Sequence, residues 1–121
     1  MRTLLFILLL WAAPVRAEWS DWSTDTQALF VASTVAIGAD WATTRNMTRR
    51  YDEGYYELNP ILGRHPSTAQ VDAYMIGMLV SNYFITDWLP QQYRIFYLGW
   101  RTITHGSAAH NNMSIGLRLQ F

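Results

Sequence analysis

Eight polar side chains in this 121-residue chain have the types and spacings that could do chemistry: Asp40, Thr43, Thr44, Glu57, Asn59, Asn82, Arg101 and His105. Two carboxylates and an imidazole, Asp40, Glu57 and His105, are the groups that hold a metal or move a proton. No HxxxH, HExxH or DxD spacing accompanies them, so the spacing assigns neither a metal nor a cofactor. The sequence also lacks a nucleophile elbow, a GxGxxG turn and a phosphate loop. No catalytic residue is therefore assigned. The competing role for these groups is structural. Asp40 would pair with Arg101 or cap loop amides, and Glu57 would accept from backbone N–H groups at helix termini.

Helical spacing collects these residues into stripes. Ser33, Ile37, Asp40 and Thr44 fall on one stripe, with Thr43 beside Asp40. Asn82 and Thr86 share a face, and Arg94, Leu98, Arg101 and His105 follow another. The elements that must carry them are three helices, over about 26–50, 68–88 and 91–105. Thr24 with Gln27, and Ser67 with Gln70, read as capping boxes that start the first two. Pro90 suits the first turn of the third, which fades at Gly106. Between the first two lies a long connection over 51–66, punctuated by Gly54, Pro60, Gly63 and Pro66. Residues 18–23 read as a surface lead-in. The tail over 111–121 alternates Met113, Ile115, Leu117, Leu119 and Phe121 with polar or small residues, a period of two that predicts an extended segment.

Composition narrows the function classes. Half of the chain is hydrophobic and 15% is aromatic, which excludes a disordered chain, and the length allows one domain. The absence of Cys excludes a disulfide scaffold, a thiol nucleophile and a Cys-bound metal. Zero net charge without a basic cluster argues against nucleic acid as a partner. Residues 1–17 have the layout of a cleaved secretory signal peptide. Arg2 precedes a short apolar run, Pro14 ends it, and Val15-Arg16-Ala17 supplies a small-x-small cleavage site. The mature chain would begin at Glu18, and the protein is expected to be exported.

Hydropathy leaves each helix marginal as a membrane span. The second is the best candidate, with Tyr74 and Trp88 as interface anchors. Asp40 interrupts the first, and Arg94 and Arg101 closely bracket the third. Charge distribution favours insertion. Arg45, Arg49, Arg50 and Arg64 all fall at the connection between the first two helices, and the turn at 89–92 carries no Arg. That is the positive-inside bias for a mature N-terminus outside the inner membrane. Arg94 would snorkel to the outer interface, and Arg101 would need a buried partner.

The order Asp40-Trp41-Ala42-Thr43-Thr44, then Glu57-Leu58-Asn59-Pro60-Ile61-Leu62-Gly63 and Pro66-Ser67, then His110-Asn111-Asn112 and Ile115-Gly116, resembles small uncharacterised helical membrane proteins of proteobacteria and their phages. The resemblance covers about 39–121. It implies a few packed transmembrane helices with polar residues facing inward, and it brings no reaction with it.

These observations lead to an all-α reading: a cleaved N-terminal signal peptide, then a single domain over 18–121 forming a three-helix membrane-associated bundle. The expected role is that of a small inner-membrane protein of structural or interaction type. Its partners would be membrane lipid and either a larger envelope protein or a second copy. One alternative is a membrane-embedded enzyme or ion- or proton-handling site on Asp40, Glu57 and His105. The other is a soluble periplasmic or outer-membrane-associated helical protein, the latter because the apolar alternation ending in Phe121 resembles the last strand of an outer-membrane barrel.

Overall fold

A computed structural model describes residues 18–121; the signal peptide expected over 1–17 lies outside the described residues. Three helices make up the fold: α1 (Thr24–Thr48), α2 (Thr68–Trp88) and α3 (Gln91–Ser114). Short 3-10 turns at Trp19–Asp21 and Tyr51–Glu53 flank α1. No strand occurs among the described residues.

Local chemistry sets the ends of these helices. The cap of α1 is Ser23 rather than Thr24, and the Ser23 hydroxyl accepts from the Thr26 backbone N–H at 3.2 Å. The Thr26 hydroxyl bonds Ser23 Oγ as well, so the cap lies one residue earlier than the Thr24–Gln27 pattern predicts. At α2 the predicted capping box forms. Ser67 Oγ accepts from Gln70 N at 3.1 Å, and Gln70 Oε1 accepts from Ser67 N at 2.9 Å. Pro90 caps α3 from outside the helix, just before Gln91.

Two segments depart from the sequence reading. Helix α3 does not fade at Gly106 but continues to Ser114. A glycine in a helix costs about 1 kcal/mol relative to alanine; here buried Ala109, the His105–Asp40 contact and an Asn112–Thr43 hydrogen bond hold the following turns against α1. The expected extended tail over 111–121 is therefore helical at its start. It then turns at Gly116, whose φ of 103° is left-handed, and folds back along α1. Asn46 Oδ1 accepts from Arg118 N at 3.0 Å, and Phe121 packs edge-on against Trp41. Of the alternating apolar residues in this tail only Leu117 is buried, so the period of two is not a strand signal here. The lead-in is likewise more than surface: Trp22 is buried among Trp19, Phe30 and Tyr83.

Helix α1 is the hub, with α3 packed along it and α2 also packed against it, while the α2 and α3 backbones approach each other at few places and are joined mainly through the Arg94 and Arg101 side chains. The buried apolar core is small. Ile37, Val71 and Met75 form it, backed by Trp41, Leu62, Tyr74, Met78 and Leu79. The rest of the interior is mixed: apolar Trp22, Ala36, Ala42, Met47, Leu98, Ala109 and Leu117 are buried, and so are many polar side chains, including Thr26, Ser33, Asp40, Thr43, Thr44, Asn82, Thr86, Asp87, Arg94, Arg101 and His105. Large apolar side chains face outward instead, among them Val31, Val35, Val80, Phe84, Phe96, Trp100 and Ile103. Among the described residues, no helix is long and apolar enough to cross a membrane. That includes α2, the favoured span, because its inward Asn82, Thr86 and Asp87 lower its hydropathy as much as outward polar residues would.

Candidate functional site

The inward stripes of the three helices meet in a chain of polar contacts. Near one end, Arg94 lies buried instead of reaching an interface. Its Nε donates to the Leu89 carbonyl at 2.9 Å and an Nη to the Asp87 carbonyl at 3.1 Å. It thereby caps the C-terminus of α2, where orphan carbonyls attract a cation. One turn further in, Asn82 Nδ2 donates to Ser33 Oγ at 2.8 Å, and the Thr86 hydroxyl donates to the Asn82 carbonyl at 2.6 Å. Arg101 approaches Asn82 Oδ1 at 3.5 Å and donates to the Met78 carbonyl at 2.8 Å. Arg101 is thus held by α2 and does not pair with Asp40.

The partner of Asp40 is His105. His105 Nδ1 lies 2.7 Å from Asp40 Oδ2, with both residues buried. The Thr44 hydroxyl donates to the other oxygen, Asp40 Oδ1, at 3.2 Å. Neither Arg101, Asn82 nor the amides near Glu57 reach it, so the expected donors to Asp40 are replaced by an imidazole and a hydroxyl. Beside them the Thr43 hydroxyl donates into the α1 backbone, to the Ala39 carbonyl at 3.0 Å, and accepts from Asn112 Nδ2 at 3.0 Å.

The 49–67 connection supplies the other candidates. Glu57 Oε1 accepts from Leu58 N at 3.0 Å and Asn59 N at 2.8 Å. Its acceptors serve its own loop rather than a helix terminus. Asn59 Oδ1 accepts from Ile61 N at 2.9 Å, an Asx turn that sets the direction of the Pro60 segment. Gly63 closes the turn with a φ of 79°, which a side chain would oppose. Tyr51 donates its hydroxyl to the Pro66 carbonyl at 2.7 Å and so ties the start of the loop to its end. Burial first, and the Glu57 carboxylate second, raise the Tyr51 phenol above its ordinary pKa.

Because α2 and α3 diverge, a cleft of about 420 Å³ remains between them, floored by α1 and closed at one end by the loop. Asp40, Thr44, Glu57, Asn59, Arg101 and His105 all line it. Thr43 and Asn82 do not line it; they support Asp40, Arg101 and the helix contacts from behind. Apolar side chains line it as well: Leu58 and Leu62 from the loop, Met75 from α2 and Trp100 from α3. Asp40, Glu57 and His105 thus share one cleft, but among the described residues no three His, Asp or Glu side chains converge closely enough to hold a metal ion.

Chemically, the most defined group is His105. A carboxylate that already accepts from Thr44 accepts from Nδ1–H as well, which fixes the ring and, in the neutral imidazole, places the lone pair on Nε2. Nε2 has no hydrogen-bond partner among the described residues. Sequence reading missed Asn112, which lies seven residues beyond His105 on the same stripe. The signal was present in that spacing but lay past the glycine at which the helix was expected to end. Compared with protein-family models, curated proteins and solved structures, the chain matches none.

Proposed function

We propose that this protein is an exported, membrane-inserted three-helix bundle of the inner membrane, with a structural or interaction role in the envelope. One observation carries the reading: along the helices an unusual number of polar and charged side chains is buried, while many large apolar ones face out. In water this arrangement forfeits the burial of outward residues such as Phe96, 76% exposed, and Ile103, 69% exposed. In lipid the same arrangement is favourable, because outward apolar groups are solvated by acyl chains and most inward polar groups, Asp87 Oδ1 and Tyr97 Oη excepted, find partners within the bundle. Hydropathy averaged along a helix counts inward polar residues against insertion, although only the outward face meets lipid. At 25, 21 and 24 residues, the helices extend about 37, 31 and 36 Å, enough for a hydrocarbon layer of about 30 Å. Aromatic side chains mark both ends of the bundle: Trp19, Trp88 and Tyr93 at one, Tyr51, Tyr55 and Tyr56 at the other. Arg45, Arg49, Arg50 and Arg64 lie at the second end, which the positive-inside rule assigns to the cytoplasm.

Carbonate extraction of membranes, combined with reporter fusions at Gly54 and Gln91, tests this reading. Retention in the membrane, a cytoplasmic signal at Gly54 and a periplasmic signal at Gln91 are expected. Release by carbonate, or periplasmic signals at both sites, would contradict it. A second reading is favoured by the His105–Asp40 pair: a ligand- or proton-handling site in the cleft. His105, held by Asp40, lines the cleft together with Glu57, Asn59 and Arg101.

A further inference from the structure

We infer that the cleft between α2 and α3 is a binding site for a zwitterionic amphiphile, whose oxyanion pairs with Arg101 and whose ammonium pairs with Glu57. The inference rests on the ligand-handling reading of the cleft and names the class of ligand. Three features select this chemistry.

The first is Arg101. A guanidinium stays ionised at any physiological pH, and this one belongs to a residue only 6% exposed. Its partners are all neutral: the Met78 carbonyl at 2.8 Å, Met78 Sδ at 3.1 Å, Ser81 Oγ at 3.4 Å and Asn82 Oδ1 at 3.5 Å, with the Tyr97 ring centre 5.8 Å away. The ion pairs among the described residues are Arg45–Asp72, Arg50–Glu53 and His105–Asp40, and none includes Arg101. Water can satisfy an N–H donor, but only an anion neutralises the charge. Arg94, also buried, differs in this respect. It sits at the C-terminus of α2, where free carbonyls favour a cation, whereas Met78 lies in the middle of that helix.

The second is Glu57, a half-buried carboxylate in the same cleft with no basic side chain within ion-pair distance among the described residues. The Leu58 and Asn59 amides that donate to its Oε1 fix the carboxylate without neutralising it. Two opposite charges thus line one cleft without pairing with each other. A bare anion would meet Glu57 and Asp40 as well as Arg101, and a bare cation would meet Arg101. A head that carries both charges meets each with its opposite. The position of the proton between His105 and Asp40 does not alter this, because that pair carries a charge of zero or minus one and in neither state repels an ammonium group.

The third is the order of the charges and the lining between them. Glu57 lies on the loop that closes one end of the cleft, and Arg101 is held at Met78, about 15 Å along α2 from its start at Thr68. The ammonium therefore faces the loop, and the oxyanion lies deeper. With the loop at the cytoplasmic surface, this is the order in an ethanolamine phospholipid of that leaflet, ammonium outside phosphate. Leu58, Leu62, Tyr74, Met75 and Trp100 give apolar surface for a chain, and a volume of about 420 Å³ is within the range of small-ligand pockets. A free amino acid with an apolar side chain carries the same pair of charges, and the test separates the two sources.

The test is a titration of the full-length mature protein in micelles of an uncharged detergent. The probes are dihexanoylphosphatidylethanolamine, L-phenylalanine, dihexanoylphosphatidylglycerol as the anion alone and octylamine as the cation alone. Nitrogen-15 NMR follows the Arg101 Nε–H resonance, and the amides of Thr44 and Ala108 report occupancy of the cleft. Saturable binding of a zwitterion is expected, with movement of the Arg101 resonance; the anion and the cation should bind at least about tenfold more weakly, the scale of one charged hydrogen bond. Binding of the ethanolamine lipid assigns the head to a phospholipid and binding of phenylalanine to a free amino acid, and either supports the inference. Glu57→Gln keeps an acceptor for the loop amides and removes the charge. It should leave the fold intact, weaken the zwitterion about tenfold and leave the anion no weaker, so that discrimination between them is lost. Arg101→Gln should abolish binding of both; if it does not fold, Glu57→Gln and the wild-type Arg101 resonance decide. An anion or a cation that binds as tightly as the zwitterions, an unmoved Arg101 at saturation, or unchanged discrimination in Glu57→Gln would each overturn the inference while leaving a ligand site in the cleft. No saturable binding of any probe would overturn the inference and count against the ligand-handling reading as well. The carbonate and fusion results stand or fall separately from this titration.

Discussion

Asp40 is the residue on which the interior depends most. Its two oxygens accept from His105 and Thr44 across two helices, so a substitution is felt by both partners. Asp40→Asn keeps size and one acceptor and should change stability little. Asp40→Leu strands a buried imidazole N–H and a hydroxyl and should lose about 1–3 kcal/mol, measured by denaturant unfolding of the purified protein in micelles. Equal stability of Asp40→Leu and wild type would contradict an inward Asp40. The burial of this residue was legible in the sequence, since Ser33, Ile37, Asp40 and Thr44 repeat at helical spacing and all are buried. Its partner was not. Arg101 and His105 lie four residues apart on one stripe, and spacing alone does not say which of them is level with Asp40. Arg101 is drawn away by the Met78 carbonyl on α2, a backbone acceptor that no side-chain pattern advertises.

At the scale of elements, the starts of helices were more legible than their ends. The Ser67–Gln70 capping box forms as its residues predict, and Ser67→Ala should cost about 1 kcal/mol, read as a lower unfolding midpoint. The end of α3 was misread because glycine is a weak local signal and tertiary contacts overrode it. A Cβ at Gly106 would lie 4.0 Å from the Ala36 Cβ, an ordinary contact. Gly106→Ala should therefore stabilise α3 by about 0.5–1 kcal/mol, through the helix propensity of alanine. Gly116→Ala should do the opposite. Its φ is 103°, and a Cβ there would lie 2.9 Å from Tyr55 Oη, whose hydroxyl donates to the Ile115 carbonyl at 2.8 Å. Circular dichroism melts of the two variants should move in opposite directions, and a loss of stability in Gly106→Ala would mean that α1 and α3 approach more closely than described.

For the whole molecule, the number and order of helices could be read from capping and breaking residues, but the relation of interior to surface could not be read from hydropathy. A one-dimensional average does not distinguish an Asn82 that faces α1 from one that faces outside, and only the packed bundle separates the two faces. That separation is the centre of the account, and it is open to direct measurement because the chain contains no Cys. Single substitutions Val35→Cys, Phe96→Cys and Ile103→Cys place a nitroxide label on each exposed apolar face, and the mature protein is then reconstituted into phosphatidylcholine vesicles. Power-saturation electron paramagnetic resonance compares collisions with oxygen, which concentrates in the acyl layer, and with a water-soluble nickel chelate. The account predicts high oxygen and low nickel accessibility at all three positions, with the reverse at a label on Gly54. High nickel accessibility at positions 35, 96 and 103 would contradict the membrane-inserted bundle.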